Sequence, residues 1–221
     1  MNEQENSIID NGEAKLMLLK AFKRHYLLHG NLPPSIYAFV KDLDVEEDEF
    51  FKHFNSFKDL ERQLWLHYFM AVSERLEKDD SYLNFSVREK LLAFYFTFYE
   101  VIQPDRSFIL TAYEKNLTKN MDTYFLKHFK EHFKNYVEEL LLEGKETDEV
   151  AERPYIDKNY HKGFWTQFIF VLNFWLKDES RGFEKTDEAI EKAVHLSFDF
   201  IAKGPLDSLV DFAKFVYQNR G

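Results

Sequence analysis

The sequence predicts an all-α protein of nine or ten helices, on three observations. Apolar residues recur at spacings of three and four over long stretches, and few runs alternate. Gly (7) and Pro (5) are scarce among 221 residues, so little chain is reserved for sharp turns. Aromatic residues make up 18% and hydrophobic residues 45%, which supplies a real core and excludes intrinsic disorder.

The first helix is predicted from about Glu13 to His29, with Ala14, Leu18, Ala21, Phe22, His25 and Leu28 on one face and Gly30 just past its end. Short helices follow over about 35–42 and 46–53. A longer one runs from Ser56 to about Lys78, where Asp79-Asp80-Ser81 breaks the chain. Ser86-Val-Arg-Glu89 is a capping box that opens a helix to about Ile102. Pro104 ends that helix, and Asp105 is placed to cap the next, to about Asn116. A long amphipathic helix is predicted over Met121 to Glu143, and Gly144 to Pro154 is the best loop candidate. Helices over about 160–177, 186–203 and 206–219 complete the chain.

Composition excludes several function classes. Without cysteine there are no disulfides, thiolate metal sites or cysteine nucleophiles. A net charge of -10 argues against a globally basic nucleic-acid binder, so any such contact must be local. The N-terminus carries no secretory pattern, and the longest uncharged run, Gly163 to Leu176, is too short to span a bilayer. A cytoplasmic location is expected. His128 and His132 are four apart, but the intervening order is not that of a metalloprotease, and His25 and His29 lack a third ligand. No catalytic residue, metal site, cofactor or enzymatic activity is expected.

Residues 14–60 lay out as a helix-turn-helix, with two short helices before a long one. Leu18, Ala21, Phe22 and Tyr26, then Gly30, then Ser35, Ile36, Phe39 and Val40, then Val45, and finally Phe50, Phe51, Phe54, Ser56 and Leu60 carry the pattern without a gap. This segment resembles the N-terminal domain of the TetR family of bacterial transcriptional regulators. The rest of the chain is similar to that family in length and helix count. The resemblance implies a helix-turn-helix domain at 1–60 and a helical ligand-binding and dimerisation domain at 61–221. It also implies operator DNA as a partner, through Ser35, Tyr37, Lys41, Glu46, Glu47, Glu49, Lys52, His53 and Lys58.

The reading helix departs from the family. Where the family usually has Ser/Thr-x-Gly-Thr, this chain has Glu46, Glu47, Asp48 and Glu49. The family's phosphate-contacting Tyr and Lys are Phe51 and Phe57. Over 33–60 three basic residues face seven acidic ones. Acids at a helix start offset the macrodipole, which is a structural reason for their presence. They also weaken attraction to a polyanion, since phosphate contacts supply most non-specific affinity.

The segment Leu91 to Tyr99 is apolar almost all round. Phe94, Tyr95, Phe98 and Tyr99, with Phe108, Tyr113, Tyr124 and Phe125, are the candidate lining of a pocket for a small apolar ligand. Plain packing is the alternative for any one of them. The apolar faces of the last long helices, with Trp165, Phe168, Trp175, Ile190, Val194 and Phe198, are the candidate homodimer interface. A final amphipathic helix docks on its own domain or, less in keeping with its few cations, touches a membrane. Two functions remain open at this point: a ligand-responsive regulator with an atypical acidic reading helix, and a lipid- or isoprenoid-binding accessory protein that kept the fold without binding DNA. The latter looks like the TetR-fold accessory protein of ubiquinone biosynthesis.

Overall fold

In the computed structural model, the described residues are 3–117, 123–153, 159–202, 212 and 215–219. Among them the chain forms nine α-helices and no strand. They are α1 (Glu3–His29), α2 (Ile36–Lys41), α3 (Glu47–His53), α4 (Phe57–Glu77), α5 (Val87–Ile102), α6 (Arg106–Leu117), α7 (Lys127–Glu146), α8 (Tyr160–Lys177) and α9 (Glu184–Ile201). No described helix is long and apolar enough to cross a membrane. The predicted last helix, 206–219, lies largely outside the described residues.

The local signals act as their chemistry requires. The Gly30 amide closes α1 on the Tyr26 carbonyl at 2.8 Å, and Gly30 takes a φ of 69°, which costs glycine little. At the start of α5 the Ser86 amide donates to Glu89 Oε2 at 2.8 Å, while the Glu89 amide donates to Ser86 Oγ at 3.2 Å.

Several expectations need correction. α1 begins at Glu3, ten residues before the expected start, and Leu28, expected on its apolar face, is 66% exposed. Asp105 does not cap α6: its carboxylate instead accepts from Lys23 Nζ and Tyr68 Oη, at 2.5 and 2.8 Å, tying α1 and α4 to the turn before α6. The helix expected from Met121 begins at Lys127, after a 3-10 turn over Tyr124–Leu126 that buries Phe125 and Leu126. Gly144 does not begin a loop but lies inside α7. Its hydrogen atom faces Val150 and Val87, where a Cβ would come within 2.5 Å of one and 3.0 Å of the other. Glycine is needed there for close packing.

The chain divides into two compact units. The first comprises Met1–Met70 and Val101–Phe129, the second Ala71–Glu100 and Lys130–Gly221. The first unit is built on rings. Phe22, Phe39, Phe50 and Phe57 form one cluster, with Phe50 fully buried and 5.7 Å from Phe57. In the second unit Phe98, Phe133 and Trp165 all pack on Phe168 of α8. Such edge and offset contacts add to the area term for large side chains. Its polar ties include a Lys90–Glu143 ion pair and the buried Arg153, which donates to the carbonyls of Phe200 and Ala202 at the end of α9. Those carbonyls have no partner within the helix, so a guanidinium is a natural cap for them.

Candidate functional site

The helix-turn-helix is α2, a turn and α3. Ser35 caps α2, its hydroxyl oxygen accepting from the Ala38 amide at 3.0 Å. The turn places Asp44 at a φ of 55°, a conformation that Asp tolerates better than most residues. The Val45 amide returns to the Val40 carbonyl at 3.1 Å. α3 is anchored by Phe50 and by Phe54 just past its end, with the His53 side chain tucked in beside them, which leaves Glu47, Asp48, Phe51 and Lys52 to solvent.

Those sides are acidic and aromatic. Glu46, Glu47 and Asp48 are exposed, and Phe51 and Tyr37 are 51% and 59% exposed. The nearby cations are already engaged. Lys52 pairs with Glu49 at 2.7 Å and with Asp48 at 3.8 Å, and His53 Nε2 lies 3.2 Å from the other Glu49 oxygen. The Lys52 hydrogen bond holds the Glu49 carboxyl below its usual range, against some desolvation and with help from His53. Lys41 Nζ sits over the Tyr37 ring, and Lys58 Nζ over the Tyr124 ring. Of the nine residues expected at DNA, Ser35 caps α2, Glu49, Lys52 and His53 pair within α3, Lys41 and Tyr37 and also Lys58 make cation–π contacts, and Glu46 and Glu47 stand exposed.

The eight expected pocket residues fall into two groups of four. Phe94, Tyr95, Phe98 and Tyr99 belong to the second unit. There Phe94 packs on Tyr136, Tyr95 and Phe98 on Phe168, and Tyr99 on Trp175. The Tyr95 and Tyr99 hydroxyls are buried with no hydrogen-bond partner among the described residues, and burial pushes both phenols well above their usual range. Phe108, Tyr113, Tyr124 and Phe125 belong to the first unit. Tyr113 and Phe125 stand 4.3 Å apart by ring centroid, and both pack on Trp65 of α4.

A carboxylate sits among the rings of the second group. Glu61 of α4 is 1% exposed, and the Tyr124 hydroxyl donates to it. Among the described residues no cation pairs with it. Arg62 turns to Asp59 at 3.3 Å, and Lys58 stacks on Tyr124. Desolvation raises the Glu61 pKa, partly offset by the Tyr124 and Tyr113 hydroxyls and the more distant charges of Lys58 and Arg62. The folded chain thus holds this proton more tightly than the unfolded one. Stability should fall as pH rises from the ordinary carboxyl range through the raised value, and the loss persists above it. Glu61→Gln is expected to flatten that limb in thermal melts between pH 4 and pH 8, with the variant melting higher than wild type at the alkaline end. Parallel wild-type and variant profiles would show that Glu61 is not the group responsible.

The outer face of α8 and α9 completes the geometry. Trp165, Phe168, Trp175, Ile190, Val194 and Phe198, the six residues expected at a dimer interface, are all buried inside the second unit. The exposed apolar face of this helix pair is the opposite one. Phe170, Phe174, Leu196 and Phe200 are 36–58% exposed there. Together with Ala189 and Ala193 most of them line an open apolar groove of about 660 Å³.

Residues 90–216 match a family model described as the tetracyclin repressor-like C-terminal domain, more than half of the chain. The chain belongs to the TetR family. Among solved structures, one from Shewanella sp. PV-4, described as a TetR-family transcription regulator, aligns at 15% identity with a TM-score of 0.49, over 86% of this chain and 99% of that one. No curated protein matches.

Against the TetR pattern, sequence reasoning missed three residues of the first unit. Phe57, standing where the family has a phosphate-binding Lys, is part of the ring core on Phe22, Phe39 and Phe50. Glu61 and Trp65 went unremarked. A signal for both was present: Phe57, Glu61, Trp65 and Tyr68 recur at helical spacing, so Glu61 is a lone acid inside an apolar stripe of α4.

Proposed function

We propose that this TetR-family protein is a homodimeric, ligand-responsive transcriptional regulator whose DNA affinity is weakened by its acidic reading helix. The head is residues 1–60 and the body 61–221. The observation that carries the reading is the α2–turn–α3 unit, capped and packed as a helix-turn-helix, ahead of a segment matching the TetR C-terminal family. The exposed apolar face of α8 and α9 supports a twofold pairing through those helices. The orphan tyrosine hydroxyls of α5 support small-molecule binding inside the second unit, because buried polar groups without partners are rare in a finished core. A ligand regulates by binding two conformations of the dimer unequally. The family match favours this reading over the carrier that has abandoned DNA.

Weak DNA binding follows from charge. Exposed Glu46, Glu47 and Asp48 face a polyanion, while Lys52 is paired within its own helix. Selection from random duplexes at low salt should recover a preferred sequence that wild type releases near physiological salt. Glu46→Lys with Glu47→Lys should raise general duplex affinity by about tenfold or more at low salt and steepen the salt dependence, each new phosphate contact adding roughly 0.9 to the slope. Phe57 must be left intact in such a variant, because its half-buried ring packs on Phe22, Phe39 and Phe50. Tight sequence-selective binding by wild type at physiological salt would remove the weakened-DNA half of the proposal. No binding by either protein at any salt would remove the regulator itself.

A further inference from the structure

The head carries a cavity that the regulator reading does not use. It is an open groove of about 770 Å³ along α1, closed on the far side by α2 and the residues after it. Its apolar lining is Leu16, Met17, Ala21, Leu28, Phe39 and Leu43. Leu16, Met17 and Leu28 are 38%, 39% and 66% exposed, an unusual concentration for the outer face of a surface helix. That volume lies in the range of small-molecule sites, about 300–1,000 Å³.

Its charge is unevenly spread. Lys20 and Arg24, one helical turn apart, both line the groove and are exposed. Neither has a hydrogen bond or an ion pair with another described residue. His25 and His29 line the same end, their rings 4.4 Å apart, and His25 Nε2 is buried without a hydrogen-bond partner. The carboxylates lining the groove are Asp42 and Glu13. Asp42 faces His25. Glu13 is seven residues from Lys20, about 10 Å along the axis at 1.5 Å per residue. Lys20 and Arg24 therefore form a cationic pair within the groove, about two turns of helix from Glu13 and above an apolar floor.

We propose that this groove binds a monomeric amphiphilic carboxylate, with its acid group between Lys20 and Arg24 and its alkyl chain over Leu16, Met17 and the apolar floor of Ala21 and Phe39. A cationic amphiphile meets like charge at the same place, and a neutral one leaves both cations unpaired. The bound molecule bridges α1 and α2, so it bears on the head directly and not through the body.

Calorimetric titration with dodecanoate below its micelle threshold tests this, with dodecyltrimethylammonium and dodecyl maltoside as chain-matched controls. Dodecanoate should bind about tenfold more tightly than either control. Lys20→Ser with Arg24→Ser should lose that preference by about tenfold while keeping the wild-type melting temperature, since both side chains are exposed. A fatty acid bearing a nitroxide should broaden the amide signals of residues 16–28 in wild type and not in the variant. The proposal is overturned by binding that survives the double substitution, by equal binding of the cationic amphiphile, by broadening confined to α5 or α8, or by the absence of binding below the micelle threshold. Broadening at α5 would at the same time leave the interior ligand site of the regulator reading standing.

Discussion

A chain carrying Phe170→Glu and Leu196→Glu is expected to run as a folded monomer. Both side chains are more than half exposed on the apolar face of α8 and α9, so the substitutions place charge on the proposed dimer face and not inside the unit. Apolar anchors at the centre of an interface carry most of its energy, and a charge with no counterion opposes its burial. The surrounding rim is already polar, with Lys192 paired to Glu188 at 2.5 Å. Light scattering should halve the mass, and the melting transition should stay cooperative. Trp175→Glu is the contrasting case. Trp175 is fully buried, so the same charge there should unfold the chain and not merely separate it. A double variant that remains a dimer of native stability would place the interface elsewhere.

Loss of the Asp178 carboxylate should cost roughly 2 kcal/mol at neutral pH. Asp178 follows α8 and is 5% exposed. It accepts from the Ser180 amide and hydroxyl at 2.8 and 2.6 Å, and from the Thr186 amide and hydroxyl at 2.9 and 2.7 Å. Desolvation on its own would raise its pKa. The four hydrogen bonds outweigh that and bring it to about 2. The folded pKa lies below the unfolded one, so this stabilisation is present above about pH 4 and is lost as pH falls toward 2. Asp178→Ala should therefore melt well below wild type at pH 7, and the two should converge in strong acid. A deficit of the same size at both ends would mean that the side chain acts through packing alone. Because this carboxylate ties the end of α8 to the start of α9, the variant should also loosen the helix pair that presents Phe170 and Leu196.

Much of the secondary structure was legible because it is written locally. Ser86 and Glu89 cap each other from three residues apart, Gly30 is the residue that reaches a positive φ cheaply, and the spacing of Phe50, Phe54 and Leu60 needs no distant partner to be read. The family, too, was legible in the ordered spacing of residues 14–60. The acidic character of α3 is a property of composition, and the structure adds only that Lys52 is already committed to Glu49 and Asp48.

What tertiary structure decided are the choices for which the sequence offers two equal answers. α8 is apolar nearly all round, so periodicity gives no preference between Trp175, which is buried, and its neighbour Phe174, which is exposed. Asp105 sits where a cap belongs, but Lys23 and Tyr68, distant in sequence, compete for its oxygens and win. Gly144 reads as a helix terminator until Val87 and Val150 are seen to need the space of its missing side chain. Glu61 is an ordinary helix-surface acid until Tyr124 and the rings of Trp65, Tyr113 and Phe125 close around its face of α4. In each case the deciding energy comes from a contact between residues far apart in the chain. A helical repeat specifies that such a face exists, and only packing specifies what meets it.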